Sequence, residues 1–286
     1  MKYLIINADD FGLNEYINTG IIKGFKEGCI TSTSLMCSAP AFEDAVALAK
    51  ANPSLGIGIH LTLVGGVKPL LSPESIPSLL NEKGVFSLDY TQFIKQFSLG
   101  KVCKNEIRAE LSAQIECGLS TGLKITHIDS HQHLHVLPGI IDIVIELCKK
   151  YDINKVRVPA ESITWTGGYS AGFGRIIGRL GLTICSELAR RKLKKAGILF
   201  PDHFFGMLAG GSLNETLVET IIDNLPDGYS EIMTHPGLHS EELRHLYSWG
   251  YHWEDELSAF VAPRNIEKIK STGISLISFG GLNYAE

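Results

Sequence analysis

At 286 residues, with 44% hydrophobic and 20% charged content, the chain can bury a sizeable core and is ordinary for a soluble globule. A net charge of −5 and a pI near 6.1 weigh against nucleic acid or an anionic membrane as partner. The six cysteines form no CxxC pair, and neither a signal-like apolar stretch nor the ~18–20 apolar residues of a membrane helix occurs, which points to a reducing, cytoplasmic setting.

The first strand expected is Tyr3–Ile6, ending in Asn7-Ala-Asp-Asp-Phe-Gly12. Asn14 can cap a helix through about Glu27, with Ile17, Ile21, Ile22 and Phe25 on one face and Gly28 closing it. Thr31–Cys37 is rich in β-formers, and a helix from Ala41 to Ala51 stops at Asn52-Pro53. Leu55–Ile59 is a strand that ends on His60. Residues 65–104 hold Pro69, Pro73 and Pro77 and read as an extended loop with short helices, of the kind that walls a cleft. Glu106–Thr121 is helical by pattern and leads to the strand Leu123–Thr126; another helix begins near Pro138. Lys155–Pro159 is a short strand, 162–174 an aromatic and Gly-rich loop, and a basic amphipathic helix runs to about Lys195. A weak strand at Asp202–Gly206, a helix at Leu213–Leu225 and a strand at Tyr229–Met233 follow. The chain closes with a polar segment rich in His, Trp and Tyr (Glu241–Glu254), a helix at Ala262–Ser271 and a strand at Ile274–Ser278.

About eight strands alternating with helices call for a parallel sheet, and eight such units suggest an irregular (β/α) TIM-like barrel, one α/β domain over 1–286. Asp9/Asp10, His60, Asp129/His131, Arg157, His203 and His235 all stand at expected strand ends. In a parallel barrel those ends open on one face.

The stretch His127–His135 gathers four of the ten histidines around Asp129. If it stayed extended, His127, Asp129, His131, His133 and His135 would share a face. No core needs that much imidazole; a metal site or a proton-transfer site does. Asp10, His60 and His131, from three strands, make a three-ligand set with open positions, the pattern of a catalytic metal. Asp9 would then be free to act as general base on the attacking water. Neighbours in a strand face opposite ways, so both aspartates can serve only if the chain turns there, which Phe11-Gly12 permits. Arg157 could orient Asp9 and hold it ionised, and His235 could protonate a leaving group. Asp129 is a candidate partner for a ligand imidazole, while His127 reads as structural, His203 as structural or at the rim, and His133 and His135 as supports behind the ligands or loop packing rather than ligands. The segment 239–253 is either an oligomer contact, as in a homodimer, or a platform on which sugar rings stack. The run Arg190–Lys195 reads as a solvated helix face.

The motifs Asn7-Ala-Asp-Asp-Phe-Gly12, Gly58-Ile-His60, Thr126-His-Ile-Asp-Ser-His-Gln-His133 and His235-Pro236 resemble those of the YdjC-like carbohydrate deacetylases, which include chitooligosaccharide deacetylases. The resemblance runs from residue 2 to past 235. It implies an irregular barrel, an Asp-His-His metal site, and removal of N-acetyl groups from a small carbohydrate substrate. Carried over by position, Asp9 matches the base, Asp10, His60 and His131 the metal ligands, and His235 the acid. It also implies Mg²⁺, whereas two imidazoles and one carboxylate suit Zn²⁺, Co²⁺, Ni²⁺ or Fe²⁺ better. The competing expectations are a metal-dependent hydrolase of another amide or ester, and a sugar-binding barrel without catalysis. The absence of a Gly-rich phosphate cradle counts against a phosphoester, and five intact candidate residues count against a mere binder.

Overall fold

The unbroken apolar run Tyr3–Ile6 calls for a strand buried on both faces. In the computed structural model, which describes residues 1–284, that run lies in β1 (Lys2–Phe11), in the middle of a parallel sheet. On one side of β1 lie β2 (Ser32–Leu35), β3 (Gly56–Leu61) and β4 (Ile125–Ser130). On the other lie β6 (Gly228–Thr234) and then β5 (His203–Phe205), giving the order β4-β3-β2-β1-β6-β5. The short β7 (Ser275–Leu276) pairs with Tyr3 and Leu4 of β1. Every pairing is parallel, so all strands end on the same edge.

The α/β class is as expected, but the eight-stranded barrel is not: the six-strand run forms a half-barrel. Lys155–Pro159, expected as a full strand, makes only single bridges, Val156 with Ile128 of β4 and Lys155 with Leu199. Prolines account for the brevity. Pro159 and Pro201 have no N–H to donate, so neither segment can extend a ladder past them.

The helices are α1 (Glu15–Glu27), α2 (Phe42–Ala51), α3 (Tyr90–Ser98), α4 (Lys104–Ser120), α5 (Ile140–Lys150), α6 (Phe173–Ala196), α7 (Glu215–Asp223), α8 (Ser240–Leu246), α9 (Trp253–Val261) and α10 (Pro263–Ser271). Asn14 caps α1 as expected, its Oδ1 accepting from Tyr16 N at 2.8 Å. Helix α9 was not anticipated. Its opening acids Glu254, Asp255 and Glu256 look like loop composition, yet acids favour a helix N-terminus, and Trp253, Leu257 and Phe260 bury its other face. Among the described residues no helix is long and apolar enough to cross a membrane.

Period-two alternation divides β1 between two environments. Leu4, Ile6 and Ala8 join the main apolar core, whereas Ile5 packs with Phe279 and Leu282 in a small second cluster. The next two residues on the Ile5 face are Asn7 and Asp9. The concave side of the sheet is therefore apolar where the strands begin and polar where they end.

Candidate active site

The same alternation brings polar residues of several strands together on that concave face. Asn7 Nδ2 donates to Asp9 Oδ1 (2.9 Å) and to Ser34 Oγ of β2 (2.8 Å), and Ser34 Oγ donates to Asp129 Oδ2 of β4 (2.7 Å). Register sets His60 of β3 beside Asp129, and His60 Nδ1 lies 2.8 Å from Asp129 Oδ1. Donation from Nδ1 leaves Nε2 as the free donor atom, the arrangement in which a carboxylate orients a metal-binding imidazole. That Nε2 is 3.4 Å from Asp10 Oδ1, and His131 Nδ1 is 2.9 Å from the same oxygen. Asp10, His60 and His131 are all buried, with one potential ligand atom from each lying within 4.8 Å of the others. Asp9, His60 and Asp129 satisfy the same spacing, but Asp9 and Asp129 are already bound by Arg157.

Two adjacent aspartates reach one site because of a backbone irregularity at Asp10 itself, not at Phe11-Gly12 as expected. Asp10 has φ +66°, and the register of β1 against β2 shifts between Ala8 and Phe11. Aspartate tolerates this left-handed conformation better than most residues, at a cost of about 1–2 kcal/mol. Gly12, at φ +98°, then turns the chain toward α1.

The histidine stretch does not remain extended. β4 ends at Ser130, and residues 131–136 form a 3₁₀ turn broken by Gln132 and His133, both at φ +56°. The five residues that would have shared a strand face are thereby sorted into different roles. His127 stacks on Phe279 at 3.8 Å, 2.9 Å from Thr126 Oγ1, and burial pushes its pKa down to about 3. His135 bridges Ser130 Oγ (2.6 Å) and the Arg157 carbonyl (3.0 Å), and burial brings it down to about 4. Burial disfavours charge on both. His133 borders the cavity with Nδ1 unpartnered, and burial holds it well below the usual histidine range. His203, expected at a strand end, instead begins β5, level with Ser230, and its Nε2 is 3.3 Å from the Asp227 carbonyl. It lies away from the site.

Arg157 is fully buried among three carboxylates. Its Nη1 and Nη2 donate to Asp9 Oδ2 (2.6 Å) and Oδ1 (2.7 Å), Nη1 also lies 2.8 Å from Asp129 Oδ2, and Nε donates to Glu231 Oε1 (2.7 Å). Burial opposes its charge, but Asp129, Asp9 and Glu231 together raise its pKa well above the usual value. Burial drives Glu231 the other way, up to about 8 against the pull of Arg157. Asp10 and Asp129 stay well below the usual carboxylate range despite burial, Asp10 through His131 and His60, Asp129 through Arg157 and His60. Burial also disfavours charge on His60, yet Asp129 and Asp10 raise it to about 10. The guanidinium thus serves Asp9, Asp129 and Glu231 and does not reach Asp10, whose carboxylate meets only the His60 and His131 rings where the Asp-His-His donors converge. A divalent cation fits that cluster of one carboxylate and two imidazoles.

His235 follows the last residue of β6. Its backbone N–H donates to Glu256 Oε2 of α9 (2.5 Å), Thr234 Oγ1 donates to the same oxygen (2.8 Å), and His235 Nδ1 lies 3.7 Å from it. Burial works against its protonation, but Glu256 outweighs this and raises its pKa. Asp9, His60, His131 and His235 all open on one cavity of about 710 Å³. Trp249 and Tyr251 border it as well, their rings 5.4 Å from His131 and 4.6 Å from His235, so part of the aromatic segment faces the site. Tyr90 and Ile94 of α3 line the far side, which makes the long 65–104 segment a cavity wall.

Sequence reasoning overlooked Ser34, Glu231 and Glu256. A signal existed for Glu231: a charge inside the apolar strand Tyr229–Met233 is unaffordable without a partner, and Arg157 inside Val-Arg-Val is its natural complement. No comparable signal marks Ser34 or Glu256.

A YdjC-like protein family model matches residues 3–271. A carbohydrate deacetylase of Thermoanaerobacter pseudethanolicus is 32% identical over 279 residues, covering 98% of each chain. Another, from Clostridium beijerinckii, is 34% identical over 278 residues, covering 96% of this chain and 98% of its own. Among solved structures, an Enterococcus faecalis protein described as a cellobiose-phosphate cleavage candidate matches with a TM-score of 0.79 and 26% identity, over 99% of both chains. The chain belongs to the YdjC-like family.

Proposed function

We propose that this protein is a metal-dependent hydrolase that removes N-acetyl groups from acetylated amino sugars. One observation carries the reading: a three-donor cluster, Asp10, His60 and His131, adjoins a separate carboxylate, Asp9, held by Arg157 on the same cavity. The names of the related carbohydrate deacetylases support the substrate class.

Asp10, His60 and His131 would hold the metal, which when bound supplies Lewis acidity to an amide carbonyl and to the attacking water. The family resemblance favours Mg²⁺, while two imidazoles beside one carboxylate favour Zn²⁺ or another transition ion. Asp9 accepts the proton of the attacking water, and Arg157 fixes the plane of its carboxylate through two hydrogen bonds. Asp129 fixes the His60 ring through Nδ1. Across the cavity His235 delivers a proton to the departing amine through Nε2, with the Glu256 carboxylate near Nδ1 favouring the protonated ring. Trp249 and Tyr251 offer aromatic faces to a pyranose ring.

The test is acetate release from N,N′-diacetylchitobiose by metal-stripped protein refilled with Mg²⁺, Zn²⁺ or Co²⁺, beside Asp9→Asn and His131→Ala. Metal-dependent acetate that both substitutions abolish is the expected result. An ion bound through His131 with no acetate released would move the reading to another amide or ester. Failure to bind any ion would end it.

A further inference from the structure

Tyr251 brings a hydroxyl to the cavity as well as an aromatic face, and its ring is fixed on several sides. The ring centre lies 4.6 Å from that of His235, 5.6 Å from that of Trp249 and 5.7 Å from that of the buried Trp253. Gly211, at φ +79°, stands against it so closely that a Cβ there would overlap the ring. Only glycine takes that backbone conformation without strain and also leaves the ring its space. The His252 backbone N–H donates to the Gly211 carbonyl at 2.8 Å and ties the two segments together.

The hydroxyl, by contrast, is left free. Tyr247 Oη donates to the Leu13 carbonyl (3.3 Å) and Tyr229 Oη to the Asn283 carbonyl (2.5 Å). Tyr251 Oη has no such partner among the described residues, yet it is not sealed in the interior, because Tyr251 lines the cavity. Packed tyrosine hydroxyls usually find a hydrogen bond. An immobilised one that opens on a cavity is placed for a ligand atom. Its neighbours indicate which atom. Burial first, then the Asp10 and Glu256 carboxylates, push the phenol's pKa up, so it stays a donor. Asp10 belongs to the Asp-His-His cluster, and Glu256 stands behind His235. The phenol is therefore close both to the side that would activate water and to the side that would protonate the amine. The scissile amide must span the same two sides. Its nitrogen meets His235, its oxygen is one carbon away, and the sugar ring leads off from the nitrogen.

We propose that the Tyr251 hydroxyl is a catalytic hydrogen-bond donor to the amide oxygen, with a bond that strengthens as that oxygen gains negative charge. The phenol keeps its proton throughout. The proposal rests on the deacetylase reading, and its test separates the two. Tyr251→Phe removes the oxygen and keeps the ring and its packing. With N,N′-diacetylchitobiose and the metal-loaded enzyme, kcat should fall roughly 100- to 1,000-fold while KM stays within about threefold. Calorimetry supplies two further readouts. Zn²⁺ affinity should be unchanged. Affinity for the methylphosphonamidate of glucosamine, a tetrahedral anion resembling the reacting centre, should fall by about tenfold or more.

A raised KM with kcat preserved would put the hydroxyl on the sugar and overturns the proposal. Weakened Zn²⁺ binding would make it a support of the metal cluster, which overturns it too. Acetate release by the parent with kcat in Tyr251→Phe within about threefold overturns the donor and leaves the deacetylase reading intact. No acetate from the parent, while the tetrahedral anion still binds more weakly without the hydroxyl, does the reverse.

Discussion

Arg157 holds Asp9 by two parallel hydrogen bonds of 2.6 and 2.7 Å, although the two residues are separated by 148 positions in the chain. The same guanidinium contacts Asp129 and Glu231, so it both orients the proposed base and neutralises a buried carboxylate cluster. These roles separate by substitution. Arg157→Ala leaves three buried carboxylates without their cation and should cost about 3–5 kcal/mol of stability by urea denaturation. Arg157→Lys keeps a charge but loses the planar fork, so it should remain folded while acetate release falls by roughly 100-fold. A lysine variant within threefold of the parent kcat/KM would show that orientation by Arg157 does not matter.

Glu256 Oε2 lies 3.7 Å from His235 Nδ1. Burial lowers the His235 pKa and Glu256 raises it, with a net upward shift. A proton donor must be charged to act, so activity should fall as pH rises through that pKa. Glu256→Gln keeps one oxygen, so it can accept from Leu213 N or from His235 N but not both, and it carries no charge. The alkaline limb of the kcat/KM profile should therefore move to lower pH. A uniform drop in rate at every pH, with the limb in place, would give Glu256 a structural role only.

The left-handed Asp10 allows a clean test of the donor cluster. Asparagine also tolerates positive φ, so Asp10→Asn removes the charge while sparing the backbone, whereas Asp10→Ala adds conformational strain. Zn²⁺ affinity by calorimetry should fall at least about 100-fold in Asp10→Asn. Asp129 is no ligand itself, but Asp129→Asn disturbs the orientation of His60 together with the contacts to Ser34 and Arg157, and should cost roughly 10- to 100-fold. Unchanged affinity in both variants would remove Asp10 from the ligand set.

What the sequence revealed and what it hid follow from the range of the forces involved. Asp9, Asp10, His60, His131 and His235 were legible because parallel strands end on one edge, so polar residues at strand ends must meet whatever the details of closure. The φ of Asp10 was not legible, since a bulge depends on the register with β2, which no local pattern encodes. His133 and His135 left the expected face because the 3₁₀ turn begins at His131, where Ser130 Oγ captures the His135 backbone N–H at 3.0 Å. Glu256 reaches His235 only because α9 packs under the end of β6, a tertiary contact between segments with no shared motif. The half-barrel was misjudged for a similar reason. Lys155–Pro159 has strand composition, but its extent is limited by prolines on both it and its neighbour.

Glu231 yields a prediction about stability rather than rate. Its unfolded pKa is ~4.3, and burial, opposed by Arg157, raises it to about 8 in the folded protein. Between those values the folded state binds a proton that the unfolded state has released. The stabilisation this group contributes is therefore fully present below the unfolded value and is lost as pH rises through the folded one. Glu231→Gln keeps an oxygen to accept from Arg157 Nε but cannot titrate. In urea unfolding of the metal-stripped protein, the parent should lose more stability between about pH 6 and pH 9 than the variant does. His60, raised to about 10, titrates in both proteins and cancels from the difference. Parallel pH dependences for the two would mean that Glu231 is already ionised at neutral pH, and that Arg157 balances three charges instead of two.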